Sequence, residues 1–162
     1  MNIRETTAED WPLIYPFFVS IVAGGETYAY PEGLTSDAAR ALWVPGPPTR
    51  TVAAMDGAHV LGSATMGPNR PGRGSHVATG SFMVDPGAQG RGVGRLLGSH
   101  VVDWARTAGF RGIQFNAVVE TNTSAVRLWQ SLGFLIVGTV PGAFRRSDGS
   151  YVGLHVMYLD LT

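Results

Sequence analysis

The sequence predicts a single mixed α/β domain, in which helices cover the faces of one central, twisted and mostly antiparallel sheet of about seven strands. Short apolar strands pair around tight turns near both ends of the chain, and one strand–helix–strand unit spans residues 76–118 between them. The length of 162 residues fits one domain over residues 1–162 and is enough to bury roughly two thirds of the unfolded surface.

The first part of the chain is predicted to contain one strand and two helices. Residues 2–6 form the strand, and Thr7 is expected to cap a helix that begins at Ala8, because acidic residues then fall in the first helical turn. Ser36 is expected to cap a second helix, which ends at Trp43.

The rest of the chain alternates strands with helices. Strands over 50–55 and 59–66 flank Asp56-Gly57, a dipeptide favoured in two-residue hairpin turns. The elements that follow are a strand over 76–85, a helix over 91–107, a strand over 111–118, a helix over 123–132 and closing strands over 134–140 and 152–161. Only the 76–118 unit requires parallel strands, so the other pairs are expected to be antiparallel.

The charge balance and the missing residue types exclude several classes of protein. Twelve cations offset twelve anions, which argues against a nucleic-acid partner and against an anionic membrane surface. The cations are all Arg, and the chain has neither Lys nor Cys. A Schiff-base lysine, a Walker-A lysine, a thiol nucleophile, a disulfide and a Cys-ligated metal are therefore excluded.

The apolar segments indicate no membrane partner. None approaches the ~20 consecutive apolar residues that span a bilayer. The opening residues Met1-Asn2-Ile3-Arg4-Glu5 lack the basic and apolar regions of a secretory signal, so a cytoplasmic protein is expected.

A glycine-rich turn between a predicted strand and a predicted helix is the most informative stretch. Glycines at 90, 92 and 94 leave the backbone N–H groups of the first helical turn open to a ligand, and such a helix start favours phosphate. Arg91 and Arg95, one turn apart, could add positive charge. A turn that only allows close helix packing is the alternative. A dinucleotide-binding fingerprint does not fit, because the glycines are spaced differently and residues 110–118 contain no acid.

Two motifs resemble those of a known family. The spacing Gln89-x-x-Gly92-x-Gly94 resembles the pyrophosphate-binding motif of the GCN5-related N-acetyltransferases, and Asn122-x-x-Ala125-x-x-Leu128-Trp129-x-x-x-Gly133-Phe134 resembles a second motif of that family. The order of predicted elements matches as well, so the resemblance covers essentially the whole chain. The segments 68–77, 115–116, 120–122 and 141–142 further resemble a branch that includes the fungal acetyltransferases of toxic proline analogues.

The resemblance implies a site for acetyl-CoA (coenzyme A) as cosubstrate and needs no metal. The strand before the first motif would separate from its parallel neighbour, so that backbone groups of the strand pair with the pantetheine chain. Amides of the glycine-rich turn would hold the pyrophosphate, and the second motif would flank the thioester. The implied binding residues are Phe82, Met83, Val84, Gln89, Gly90, Arg91, Gly92, Val93, Gly94, Arg95, Asn122, Ala125 and Trp129.

The implied reaction is direct attack of a neutral amine on the thioester. Many family members carry a Tyr at the position of Trp129, and its phenol protonates the leaving thiolate. An indole has no such proton to give, so Trp129 is interpreted mainly as a core residue. Asn116 and Asn122 are assigned to the thioester instead, with a structural strand residue and a helix cap as the respective alternatives.

Six residues are candidates for the amine side of the site: Glu26, Tyr28, Tyr30, His76, Thr79 and Glu120. Glu26 could accept the proton of the amine or be a solvated loop acid, and His76 could be a base or fix a loop. Thr79 stands where the proline-analogue branch is expected to carry Asn. A carboxylate on the acceptor could instead bind Arg73, Arg145 or Arg146, for which a plain surface role is the alternative. The other histidines, His59, His100 and His155, are interpreted as structural or surface residues.

The sequence therefore predicts an acetyl-CoA-dependent N-acetyltransferase that acts on a small-molecule amine, with an amino acid or analogue as one candidate. A protein N-terminal or antibiotic acetyltransferase and a non-catalytic acyl-CoA-binding sensor are the alternatives. A homodimer is expected, because the apolar strands over 134–140 and 150–161 lie at the end of the sheet and an uncovered edge favours pairing.

Overall fold

The computed structural model describes all residues from 1 to 162. Its strands and α-helices, in chain order, are β1 Asn2–Glu5, α1 Trp11–Gly24, α2 Ser36–Trp43, β2 Arg50–Asp56, β3 His59–Pro68, β4 Val77–Val84, α3 Val93–Thr107, β5 Gly112–Val119, α4 Thr123–Ser131, β6 Leu135–Arg145 and β7 Tyr151–Asp160. None of the α-helices combines the length and the apolar character that crossing a membrane requires.

The strands form one sheet of seven in the order β1-β2-β3-β4-β5-β7-β6. Every neighbouring pair is antiparallel except β4 and β5, which are parallel. The predicted mixed α/β class and the mostly antiparallel sheet are confirmed. The parallel pair lies in the middle of the sheet, and α3 is the helix that connects its two strands.

Two layers of helices enclose the sheet. On one face, α1 and α2 bury an aromatic cluster that includes Phe18 and Trp43. On the other face, α3 and α4 bury Leu97, Phe115 and Trp129 in two adjoining clusters. The central strands are covered on both faces, so their backbone edges become accessible only where two neighbouring strands separate.

The first helix begins at Trp11, three residues later than predicted, and Thr7 is not its cap. The carboxylate of Asp10 explains the difference, because it turns back and accepts a hydrogen bond from the backbone N–H of Thr7 at 2.7 Å. It also accepts two hydrogen bonds from the guanidinium of Arg4, at 2.7 and 2.8 Å. These contacts join the end of β1 to the start of α1.

Three further boundaries differ from the predictions. Thr35 caps α2 by accepting from the N–H of Ala38, while the predicted cap, Ser36, accepts from the indole N–H of Trp11. Helix α3 begins at Val93 and not at residue 91, because Gly92 is left-handed with φ 79°. Strand β6 continues past residue 140 to Arg145, with an irregularity in its pairing with β7 between residues 140 and 144.

Replacing Asp10 by Asn is expected to lower the free energy of unfolding at neutral pH. Hydrogen bonds from Arg4 lower the pKa of this buried carboxyl from 3.8 to about 2. A lowered pKa stabilises the fold above the unfolded value, and the contribution is lost as the pH falls toward 2. The shift corresponds to about 2 kcal/mol. Denaturant unfolding between pH 7 and pH 2 measures it, and the exposed neighbour Glu9→Gln is the control. Equal stability of Asp10→Asn and wild type at pH 7 would contradict this role.

Candidate functional site

A cleft opens where β4 and β5 separate. These strands pair only at Val77–Gly112 and Ala78–Ile113 and then diverge toward their carboxyl ends. The space between them, called here the β4–β5 cleft, has a volume of about 1010 Å³ and extends from the start of α3 to the loop after α1. The position agrees with the rule that ligands bind at the carboxyl ends of parallel strands.

Backbone N–H and carbonyl groups of β4 point toward this cleft. The backbone N–H and carbonyl groups of odd-numbered residues of β4 point toward β3. Two hydrogen bonds show this, from the Asn69 N–H to the Val77 carbonyl and from the Asp85 N–H to the Leu61 carbonyl. Because backbone groups alternate along a strand, those of Phe82 and Val84 point into the cleft. An extended chain with amide groups, such as pantetheine, can pair with an edge of this kind.

The start of α3 forms the outer end of the cleft. Gly90 and Gly92 have φ angles of 77° and 79°, and a Cβ added at either would meet nothing within 4 Å. The first intrahelical bond is donated by Leu96 to the Gly92 carbonyl, so the N–H groups of the first turn have no partner within the helix. The turn therefore fits a phosphate-bearing ligand on grounds of space, conformation and donor groups.

The two arginines of the turn do not both point at the cleft. Arg95 lines it and donates to the hydroxyl of Ser131 at 2.9 Å. Arg91 donates to the carboxylate of Asp56 at 2.7 Å and does not line the cleft, because the side chain turns toward the β2–β3 hairpin. The positive potential at the turn therefore comes mainly from backbone N–H groups.

Aromatic rings close the cleft on the side of α3 and α4. The ring of Trp129 lies 4.5 Å from that of Phe82 and 4.9 Å from that of Phe115, measured between centroids, and Trp129 is buried. Asn122 caps α4 by accepting from the N–H of Ala125, and both residues line the cleft. The capping role of Asn122 therefore coexists with a position in the wall of the cleft.

Trp129→Phe is expected to retain most of the activity. The ring fills space among other rings, so a smaller aromatic residue keeps the wall of the cleft at a stability cost below the about 3–5 kcal/mol of a Trp→Ala change. Steady-state kinetics measure the effect. A fall in kcat beyond about a hundredfold, the scale of general acid catalysis, would show that the indole N–H takes part in the reaction.

Two tyrosines form the wall on the α1 side. The rings of Tyr28 and Tyr30 stack with centroids 5.4 Å apart. The Tyr28 hydroxyl accepts from the N–H of Phe82 at 2.7 Å and donates to its carbonyl at 2.6 Å. Burial raises the pKa of both phenols, so Tyr28 and Tyr30 are hydrogen-bonding neutral groups at physiological pH.

Fewer residues of β4 than predicted have backbone groups available to a pantetheine chain. The backbone groups of Phe82 are already bonded to Tyr28, and those of Met83 face β3. Among the three residues predicted to pair with pantetheine, Val84 alone keeps its backbone groups free toward the cleft.

Glu26 lies at the edge of the cleft and joins two distant segments. Its carboxylate accepts from Arg146 Nε at 2.9 Å and from the Ser147 hydroxyl at 2.6 Å. These hydrogen bonds, from Ser147 and then from Arg146, lower the pKa of Glu26. The carboxylate is thus engaged in a clasp between the loop after α1 and the β6–β7 turn, and its lowered pKa disfavours proton uptake.

Asn116 belongs to a chain of side-chain amides. Its Nδ2 donates to Asn69 Oδ1 at 2.7 Å, and its Oδ1 accepts from Gln114 Nε2 at 3.0 Å. Asn116 lines the cleft, and it follows Phe115, whose ring is buried on the α4 side. Gln114 lies between Ile113 and Phe115 and points to the opposite face, so its contact with Asn116 places Asn116 on the side of α1, together with Thr79, which also lines the cleft.

The structure does not bring every predicted residue to the cleft. His76 is exposed at the start of β4, and Glu120 accepts from the N–H of Gly153 on β7. Neither of these candidates for the amine side lines the cleft. The three arginines that could bind a carboxylate, Arg73, Arg145 and Arg146, do not line it either. The structure contains no group of three or more His, Cys, Asp or Glu side chains arranged to hold a metal ion.

The most informative contacts that the sequence did not predict join residues far apart in the chain. The pairs Tyr28–Phe82, Asn69–Asn116 and Glu26–Arg146 are separated by 54, 47 and 120 residues. No local spacing signals such pairs, because the sheet order brings them together.

Two solved structures are similar to this chain over nearly its whole length. A GCN5-related N-acetyltransferase from Kribbella flavida is 58% identical, with a TM-score of 0.94 over 98% of this chain and 96% of that one. An acetyltransferase from Salmonella typhimurium, solved with its cofactor acetyl-CoA, is 25% identical, with a TM-score of 0.85 over 100% of this chain and 94% of that one.

Curated relatives match over shorter segments. N-acetyltransferase aca1 of Schizosaccharomyces pombe is 36% identical over 98 residues, which are 60% of this chain and 47% of that protein. The L-amino acid N-acyltransferase MnaT of Escherichia coli is 33% identical over 86 residues, which are 53% of this chain and 49% of that protein. The chain thus spans about half the length of these two relatives.

A family model also matches this chain. The model for the acetyltransferase (GNAT) family matches residues 8–134, a range that contains both helices of the α1 side, the glycine-rich turn and the strands β4 and β5. The resemblance inferred from the two motifs is confirmed, and the chain belongs to the acetyltransferase (GNAT) family.

Proposed function

We propose that this acetyltransferase binds acetyl-CoA in the β4–β5 cleft and transfers the acetyl group to the amine of a small molecule that carries a carboxylate, such as an amino acid or analogue. The observation that carries the proposal is the cleft itself, in which the start of α3, the free edge at Val84 and a wall of polar side chains follow one another. The thioester supplies the acetyl group.

The residues around the cleft have separate tasks in this reaction. The N–H groups at the start of α3 bind the pyrophosphate, and Val84 pairs with the pantetheine chain. The amides of Asn116 and Asn122 donate hydrogen bonds toward the sulfur as the C–S bond breaks and the C–N bond forms. The thiolate takes up the proton that the attacking amine releases, directly or through water, because Trp129 has no acidic proton.

The charges around the cleft favour an acceptor with a carboxylate. Glu26 and Arg95 are the charged side chains that line it, and Glu26 is paired with Arg146. A polycationic acceptor, as many aminoglycoside antibiotics are, would need free carboxylates that this wall does not offer. The neutral hydroxyl of Thr79, which lines the cleft, suits a carboxylate instead. The relative from E. coli, which is named as an L-amino acid N-acyltransferase, supports this class of acceptor.

We assign Glu26 to the shape of the acceptor wall and not to proton transfer. Its clasp with Arg146 and Ser147 closes one side of the cleft, which also disfavours a long peptide as the acceptor. Glu26→Gln is expected to raise the KM of the acceptor while the Kd of coenzyme A, measured by calorimetry, stays unchanged. A fall in kcat alone, with an acidic limb lost from the pH profile, would return Glu26 to the role of a base.

Thiol release with matched pairs of amines tests the proposed function. Each pair consists of an amino acid and the amine that lacks only its carboxylate, both at the same concentration of acetyl-CoA. We expect kcat/KM to be at least about tenfold higher for the amino acid, which corresponds to one charge-assisted hydrogen bond. Equal rates for both members of every pair would overturn the carboxylate preference. Binding of acetyl-CoA without thiol release would favour the sensor alternative.

We also propose that the protein is a homodimer that pairs through β6. This edge strand exposes Leu135, Val137 and Val140 with 73%, 68% and 54% of their surfaces accessible. An uncovered apolar edge strand is a template for a second copy. Light scattering at micromolar concentrations is expected to give the dimer mass, and Val137→Lys is expected to give the monomer mass. A monomer mass for the wild type would refute the dimer.

A further inference from the structure

Tyr28 reaches from the loop after α1 to the backbone of β4 inside the cleft. Its hydroxyl bonds both to the N–H and to the carbonyl of Phe82, at 2.7 and 2.6 Å. These two groups point away from β3 and toward the space that β5 has left. At this residue, therefore, the phenol occupies the place that a neighbouring strand or an extended ligand would take.

Other rings hold the Tyr28 ring in place. It stacks on Tyr30 with an interplanar angle of 7°, and it lies perpendicular to the ring of Trp43 at a centroid distance of 6.2 Å. Trp43 is fully buried and donates its indole N–H to the hydroxyl of Ser63 at 2.9 Å. A side chain fixed by two aromatic neighbours and two hydrogen bonds is a wall and not a mobile loop residue.

The opposite side of the cleft is closed at the same depth. The ring of Phe82 packs against Trp129 and Phe115, at centroid distances of 4.5 and 5.5 Å. An extended ligand that enters the cleft from the start of α3 passes the free backbone groups of Val84 first. At Phe82 it meets the Tyr28 hydroxyl on one side and the ring cluster on the other.

We propose that Tyr28 sets the length of the acyl group that this enzyme transfers, by filling the space beside Phe82 that a chain longer than acetyl would need. The inference rests on the proposed function, since it requires the thioester to lie in the β4–β5 cleft. Each methylene beyond acetyl would have to displace the phenol and leave the half-buried N–H and carbonyl of Phe82 without partners, which is costly. Without the Tyr28 ring, both the space and those two groups become available to a longer chain.

A series of thioesters, tested on two variants of Tyr28, distinguishes the effect of the ring from the effect of the hydroxyl. Acetyl-, propionyl-, butyryl- and hexanoyl-CoA are compared in the wild type, in Tyr28→Ala and in Tyr28→Phe. Calorimetry without an amine gives the Kd of each thioester and of free coenzyme A, and thiol release with a saturating amine gives kcat/KM. Tyr28→Phe is the matched control, because it keeps the ring and loses only the hydroxyl.

In the wild type we expect butyryl-CoA to have at least about tenfold lower kcat/KM and weaker binding than acetyl-CoA, the scale of discrimination that one or two methylenes allow. Tyr28→Ala is expected to abolish this difference in both measurements, while Tyr28→Phe keeps most of it. If Tyr28→Ala does not fold, Tyr28→Leu, which shortens the side chain, is expected to admit propionyl- and butyryl-CoA.

Two results would overturn the proposal, and they are distinguishable from each other. Unchanged discrimination in a folded Tyr28→Ala or Tyr28→Leu variant that still binds coenzyme A, or equal use of butyryl- and acetyl-CoA by the wild type, would overturn the role of Tyr28 alone. Failure of the wild type to bind coenzyme A and every thioester would overturn the proposed function, and the role of Tyr28 with it.

Discussion

Gly92→Val is expected to weaken the binding of coenzyme A by at least about a hundredfold, or about 3 kcal/mol. Gly92 stands immediately before α3, and a Cβ at this position would project into open space at the outer end of the cleft. The branched side chain of Val would fill the volume that a pyrophosphate needs to reach the N–H groups of the first turn. Calorimetry with coenzyme A gives the affinity directly.

Backbone strain has to be separated from this effect. Gly92 has φ 79°, a conformation that costs an L-residue about 1–2 kcal/mol, so the variant is expected to be less stable as well as weaker in binding. Gly109→Val is the matched control, because Gly109 has φ 82°, also has open space at its Cβ, and lies outside the cleft at the end of α3. Equal coenzyme A affinity in folded Gly92→Val and Gly109→Val proteins would contradict the assignment of the binding turn.

Asn116→Ala and Asn122→Ala are expected to lower kcat by about 10²–10³ while the KM of the acceptor stays nearly unchanged. Both side chains line the cleft, and an amide N–H stabilises a developing thiolate without ionising. Steady-state kinetics with both substrates varied separate the two parameters. A raised acceptor KM with an intact kcat would contradict this role and place the residue in the acceptor pocket. The test matters most for Asn116, because its side chain lies on the α1 side, where the acceptor wall is.

Each of these variants has a control that isolates the amide. Asn122→Ser keeps an oxygen that caps α4 and removes the amide N–H, so it is expected to retain the stability that Asn122→Ala loses, about 1 kcal/mol, and to show the same fall in kcat. Gln114→Ala removes one of the two side-chain partners of Asn116 but leaves Asn116 itself, and it is expected to change kcat far less. Full activity in Asn122→Ser would show that Asn122 only caps the helix.

The sequence predicts the fold well where a local pattern determines the structure. The β2–β3 hairpin forms where it was predicted, but its two-residue turn is Gly57-Ala58 and not Asp56-Gly57, because Asp56 still pairs with His59 and Gly57 has φ 58°. The glycines at 90 and 92 mark the turn before α3, because glycine adopts the positive φ angles of this turn without strain. The start of α1 is different. Thr7 is a residue type that often caps helices. Here, however, the Asp10 carboxylate pairs with Arg4 and bonds to the N–H of Thr7, so the first helical turn does not form at residues 8–10.

The candidate site is predictable only in part, for the same physical reason. The glycine-rich turn and the helix cap at Asn122 depend on neighbours in the chain and are visible in the sequence. The bonds of Tyr28 to Phe82 and of Glu26 to Arg146 depend on the order of strands in the sheet and on the packing of α1. The sequence therefore identified Tyr28 and Glu26 as candidate site residues but did not predict which residues they contact.

Mass spectrometry of the amine, in the same reaction in which the released thiol is counted, tests most directly whether this cleft is the site of an N-acetyltransferase. The reaction contains the wild-type protein, acetyl-CoA and an amino acid, with Gly92→Val as the parallel sample. One N-acetylated amino acid is expected for each thiol released, with the product strongly reduced in Gly92→Val. Coenzyme A bound at the start of α3, with neither thiol release nor an acetylated amine for any acceptor, would contradict the proposed function.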